Sequence, residues 1–329
     1  MNNTLSASIS LFMVSMLTSL SCTLQQLPDA VEKGEESNGI YSRKVISRPD
    51  LNPLVESETN SRGVKAILAT NDIGIGANRI SFLLTSPRGF VTVPVVTVKP
   101  ALVSATGTQA PDMTPAIATF QPWPYGERGL YLATVNFDRP GSWLLNVSLA
   151  EDNETSVVSI PVVVRTRTHA PINGDVAIKS NNRTLAGVQD IKELTSGSLH
   201  DPDLYQISIA DAILSGRPAV VVFASPAFCL NAVCGPQVEV VQKLKATFGE
   251  AADFIHVDFY DNPREIQGDL TRAIISPTVR EWGLPSSEWT FMIDQHGHVF
   301  KRFEGFANYS ELAQELAGML SVSESVSPR

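Results

Sequence analysis

The chain holds three cysteines, Cys22, Cys229 and Cys234, and the last two frame a Cys-Leu-Asn-Ala-Val-Cys segment. Two sulfurs so close in sequence admit three chemistries. They can exchange a disulfide with a partner, the thiolate of one attacking and the other resolving. They can form a purely structural bridge, or offer two thiolates to a soft cation such as Cu(I). Geometry constrains all three. Within one regular helix the Cα atoms would stand roughly 8 Å apart, too far for a bridge. A bridge therefore needs Cys229 in a loop, and Pro236 suits a first helical turn, which puts Cys234 at a helix start. The positive end of that helix lowers a nearby thiol pKa and favours a thiolate. We expect Cys229 to be the exposed, more reactive thiol and Cys234 the shielded one. Few other groups compete for chemistry. His256 reads as a packed residue within a strand, and His296 and His298 fall in a turn. Asp258, Asp261, Glu265 and Asp269 read as the solvated face of a polar loop, without zinc or calcium spacing. No cofactor and no metal site is expected from this set.

The elements around the cysteines alternate between strand and helix. Residues 218–224 form a continuous apolar run, as a central strand covered on both faces requires. Ser208 with Asp211 three places on marks the start of a short helix over 208–214. Val238, Val241, Leu244, Lys245 and Phe248 fall at helical spacing. Residues 254–258 read as a second strand, 289–294 and 298–303 as a hairpin closed at 295–297. Asn308 with Glu311 caps a last helix reaching about residue 320. Before this region the pattern is different. Residues 80–84, 91–98, 130–137, 143–149 and 157–164 are rich in β-branched and aromatic side chains, with turns at 86–89 and 138–141. Pro94 and Pro161 inside strands argue for sheet edges or bulges, and Trp123 and Trp143 for core positions. Several short strands at regular spacing predict a β-sandwich. The glycines of 71–79 lack the Lys-Ser/Thr and the following helix that a phosphate loop needs.

Strand, cysteine-bearing loop, helix, strand, helix, hairpin, helix is the thioredoxin order. With Val-Val-Val-Phe-Ala-Ser-Pro-Ala-Phe-Cys ending at Cys229, Thr-Val-Arg-Glu-Trp-Gly at 278–283 and Ile-Asp-Gln-His-Gly at 293–297, residues 205–320 resemble extracytoplasmic thioredoxin-like proteins. The resemblance implies an α/β fold and thiol–disulfide exchange with protein partners. It also shows departures. The cysteines are separated by four residues instead of two, and Val222 stands where the family keeps a buried acid. The 283–289 segment, with Pro285 and Glu288, lies where the family places a cis-proline. Cys-Gly-Pro-Gln at 234–237 resembles the family's Cys-Gly-Pro-Cys with its last cysteine replaced, a register in which Cys234 would attack and Cys229 resolve. The pair, Pro236 and the 258–264 segment are also similar to Sco-type copper chaperones, although 284–288 lacks their histidine. The stretch 129–143, with 71–79, resembles immunoglobulin-like domains of extracytoplasmic bacterial proteins, which implies a spacer or binding module.

The fold class expected is therefore an all-β immunoglobulin-like sandwich over 63–165 followed by an α/β thioredoxin-like domain over 175–322, folding independently across a join at 166–175. Residues 1–21 carry no charged side chain and have an apolar centre of signal-peptide length. Ser-Leu-Ser-Cys at 19–22 resembles a bacterial lipobox, which makes Cys22 the expected lipidation site, with 22–62 as a tether. The expected location is extracytoplasmic, anchored to the membrane by lipid or secreted. The net charge of −9 is concentrated in residues 166–329, with 13 basic and 20 acidic side chains against 7 and 7 in residues 63–165. No basic run offers a footprint for a phosphate backbone, so no nucleic-acid partner is expected.

Overall fold

In the computed structural model the described residues are 55–104, 107, 113–124, 128–151, 154–228 and 234–326. Cys22, the 1–21 leader, most of the tether and Cys229 lie outside them.

β-Branched and aromatic segments build the first sheet: β1 (Val55–Glu56), β2 (Lys65–Leu68), β3 (Gly76–Ser86), β4 (Gly89–Phe90), β5 (Val95–Leu102), β6 (Ala116–Pro122), β7 (Gly129–Phe137), β8 (Gly141–Glu151) and β9 (Glu154–Val164). They hydrogen-bond as one nine-stranded sheet in the order β1-β2-β3-β7-β6-β5-β8-β9, with β4 on β3. The sequence predicts a sandwich of facing sheets; here β5 pairs with both β6 and β8 and joins the layers into one ribbon. The ribbon folds over a single apolar core that includes Phe82, Tyr131, Leu145 and Ile160. Its two ends meet where the Arg165 N–H donates to Ile73 O at 2.9 Å. The strand expected over 91–98 begins only at Val95 and runs on to Leu102. Pro94, without an N–H, stays outside it, and the Pro94 carbonyl accepts from Phe120 N. Pro161 sits on β9, an end strand with one partner, as a missing donor requires.

The second sheet has four strands: β10 (Ala219–Ala224), β11 (Asp253–Asp258), β12 (Trp289–Ile293) and β13 (Val299–Glu304), ordered β11-β10-β12-β13. β10 and β11 are parallel, and β12 and β13 complete the sheet antiparallel. Five helices accompany them: α1 (Ile209–Ser215), α2 (Cys234–Phe248), α3 (Pro263–Ile266), α4 (Pro277–Glu281) and α5 (Tyr309–Val326). Along the chain the elements follow the expected sequence of strand, helix, strand, helix, hairpin and helix. The Ser208 hydroxyl accepts from Asp211 N at 3.1 Å, and Asn308 accepts from Glu311 N at 2.9 Å, so both caps form. All six side chains of β10 are buried between an α2 layer and a layer built on Ile209, Trp282 and Phe291.

The 166–175 join is packed rather than loose. Ala170 is buried, and the N–H groups of His169 and Ala170 donate to the Asp72 carboxylate at 2.9 and 3.0 Å. Leu83, Trp123, Leu130 and Leu132 of the first sheet's region pack into the second sheet's α2-side core. Trp143 is buried in the first core as expected, whereas Trp123 packs across to the second. Among the described residues no helix is long and apolar enough to cross a membrane.

Candidate functional site

β10 ends at Ala224, and the chain turns at once: Phe228 N donates to Ser225 O at 3.1 Å. This turn follows the carboxyl end of a central strand, where open α/β sheets gather their reactive groups. α2 then begins at Cys234, the position that Pro236 predicts. The Cys234 side chain is fully buried, and its sulfur lies 4.0 Å from the Ser287 carbonyl oxygen. Thus the 284–288 loop, which enters β12, faces Cys234.

Gln237, which takes the place of a second cysteine in the Cys-Gly-Pro-Gln register, is also fully buried. Its amide donates to Thr290 Oγ1 at 3.2 Å and accepts from Ala307 N at 2.9 Å. The residue ties α2 to β12 and to the turn before α5. A buried amide with both ends satisfied stabilises the helix start without any redox capacity.

On the β11 flank stands a polar cluster. Asp258 is buried, which corrects its expected place in a solvated loop: it is the last residue of β11, paired in register with Ala224. Its carboxylate accepts from Ser196 N at 2.7 Å, Ser196 Oγ at 2.8 Å and Tyr260 N at 3.1 Å. Ser196 Oγ also lies 3.1 Å from Ser225 Oγ and accepts from Ala227 N at 3.2 Å. The carboxylate is thereby connected to the turn that leads to Cys229. His256 is packed, as expected, with Nδ1 2.7 Å from the Tyr205 hydroxyl and Nε2 3.0 Å from Ala224 O. Burial pushes His256 down, Asp258 up and the Tyr205 phenol up, so each favours its neutral form. Asp258 is thus a buried acid on the strand beside β10, two residues beyond His256, which pairs with Val222. Glu265 and Asp269 are exposed and Asp261 half-buried, in keeping with the solvated reading. His296 is exposed and His298 half-buried in the β12–β13 turn.

On the β12 flank the 284–288 loop is held from behind. Gly283 has a φ of +61°, and a Cβ there would stand 2.6 Å from His169 O, so only glycine fits. Ser286 Oγ donates to Glu304 Oε1 at 2.7 Å and accepts from Trp289 Nε1 at 2.9 Å. Glu304 is buried at the end of β13, and burial pushes its carboxyl up to about 7. Sequence reasoning missed Glu304, Ser286, Ser196 and Ser225, because nothing in one chain marks a Glu or Ser as a member of a long-range polar contact.

Beside α2 runs a groove of about 250 Å³, lined by Ser196, Leu199, Pro226, Ala227, Gly235 and Val238. Leu199, 69% exposed, stands at its rim. Among the described residues no group of three or more His, Cys, Asp or Glu side chains is placed to hold a metal ion.

No protein-family model and no curated protein matches the chain. Among solved structures it is similar to a thiol:disulfide interchange protein of the thioredoxin family from Chlorobium tepidum TLS. That similarity has 14% identity and a TM-score of 0.32, covering 46% of this chain and 99% of the other.

Proposed function

We propose that this chain is an extracytoplasmic thioredoxin-like protein that exchanges disulfides with protein partners through Cys229 and Cys234. The observation that carries the reading is the position of Cys234: first residue of α2, beside the end of β10, its sulfur buried against the 284–288 loop. On this reading Cys234 pairs with Cys229, and the turn at 225–228, which carries the chain on from β10, supports the pairing.

In the exchange, the Cys229 thiolate attacks one sulfur of a partner disulfide and expels the other as a thiolate, giving a mixed disulfide. Cys234 loses its proton and attacks Cys229 Sγ, which releases the second partner thiolate. The partner gains two electrons and two protons, and the Cys229–Cys234 dithiol becomes a disulfide; the reverse sequence oxidises a partner. Leu199 and Val238 give the groove an apolar edge for a partner segment.

Trapping with oxidised glutathione tests the roles. Cys234→Ser should accumulate a glutathione adduct on Cys229, whereas Cys229→Ser should not label at the buried Cys234. An adduct on Cys229→Ser alone reverses the roles, and none on either variant removes exchange from the account. On the same reading Cys22 is the lipid-bearing mature N-terminus that holds the protein at the membrane. An acylated Cys22 peptide from a membrane fraction supports this, and a soluble mature form starting at another residue contradicts it.

A further inference from the structure

The first sheet has no obvious part in thiol chemistry, yet its 70–79 segment reaches the loop opposite Cys234 through a single side chain. Glu304 Oε2 accepts from Asn71 N at 3.0 Å and Asp72 N at 2.9 Å, while Oε1 accepts from Ser286 Oγ at 2.7 Å. Ser286 is the neighbour of Ser287, whose carbonyl oxygen lies against the Cys234 sulfur. We propose that Glu304 is a positioning residue that clamps the 284–288 loop over Cys234 and makes that closure depend on the docked first sheet. The inference rests on the exchange reading for its purpose, and on these hydrogen bonds for its substance.

Ionic contacts fix the frame on both sides. Arg302 Nη1 donates to Asp72 Oδ2 at 3.0 Å and its Nη2 to Asp72 O at 2.8 Å, with the Asp72 side chain fully buried. Arg79 forks onto Glu311 at 2.7 and 2.9 Å, and its Nη1 donates to Glu304 O at 3.0 Å. Glu288 is buried at the end of the loop, and its carbonyl accepts from Gly305 N at 2.9 Å. The charged groups around Glu304 are thus Asp72 with Arg302, Arg79 with Glu311, and Glu288. Both ion pairs and Glu288 are retained in Glu304→Gln, so comparing the two chains isolates the Glu304 carboxyl.

A carboxyl raised to about 7 in the closed loop prefers water once ionised, so rising pH favours states in which the loop opens. Opening uncovers Cys234. The test uses the full chain, reduced, with N-ethylmaleimide as the probe and the Cys234 peptide quantified from pH 5.5 to 8.5. Thiol ionisation is common to all variants and cancels in the ratio to Glu304→Gln, which keeps an acceptor and a donor but cannot ionise. Wild type divided by Glu304→Gln should rise at least tenfold through an inflection near pH 7. Ser286→Ala, which cuts the loop from the clasp and spares the Asn71 and Asp72 bonds, should label at least tenfold faster at pH 6 and show a smaller step. A flat ratio, or a Ser286→Ala rate equal to wild type, overturns the proposal. A dithiol inert towards glutathione would instead overturn the exchange reading, and the labelling ratios would still decide the clamp.

Discussion

The two sheets use buried polarity in opposite ways. In the first, the buried core is apolar from Val64 to Val164, and its only buried charged residue among those described is Asp72, at the contact with the second sheet. In the second, His256 within β11, Asp258 and Glu304 at the ends of β11 and β13, and Glu288 at the entry to β12 are all buried. Desolvated titratable groups cost stability unless they are hydrogen-bonded, and they gather where chemistry or contact needs them. The difference sets an apolar core in the first sheet against buried titratable groups in the second, with the 70–79 segment as the link between them.

Breaking that link should produce the largest effect. Arg302→Ala leaves Asp72 buried without its cation, and we expect a loss of about 3–5 kcal/mol in urea unfolding. Arg139→Ala removes an exposed pair with Asp138 in the β7–β8 turn and should leave the midpoint unchanged. Equal effects would erase the distinction between contact and surface. Next, Leu145→Ala opens a cavity in the fully buried first core and should cost about 2–5 kcal/mol. Cys234 labelling in the folded fraction should not change in that variant. If it does, the first sheet's core takes part in positioning the site.

How much of this was legible in the sequence differs between the regions for the same reason. The apolar run before Cys229 gave β10 its central place, since only a strand covered on both faces accepts six buried side chains in a row. The cap residues Ser208 and Asn308 located α1 and α5, and Pro236 located the start of α2. The 91–98 strand was misplaced because valines flanking Pro94 satisfy a strand pattern while the ring denies the ladder a donor. Asp258 was misread because an acid at a strand end looks solvated until Ser196, 62 residues earlier, is folded onto it. Glu304 was invisible for the same reason, with its donors 232 and 233 residues away.

A third prediction sharpens the comparison through pH. Glu304 holds its proton up to about 7 in the folded chain but only to an ordinary carboxyl value when unfolded. Between those values the folded state binds more protons, so stability falls as pH rises from the ordinary carboxyl range to about 7, then levels. The fall attributable to Glu304 should be about 3 kcal/mol and should vanish in Glu304→Gln, read from unfolding midpoints across that range. A slope unchanged in the variant would place the titrating group elsewhere. The smallest expected effect is local: Ser208→Ala loses the α1 cap at a cost of about 1 kcal/mol, with no change at Cys234.

The central claim is that Cys229 and Cys234 form one exchangeable pair. Its most direct test is a glutathione redox titration of the full chain, reading both cysteine peptides by alkylation and mass spectrometry. The account predicts a single two-electron transition, shared by both peptides and lost in either serine variant, with a midpoint between about −270 and −120 mV. A midpoint far below about −300 mV, where structural bridges resist the glutathione pool, would contradict it.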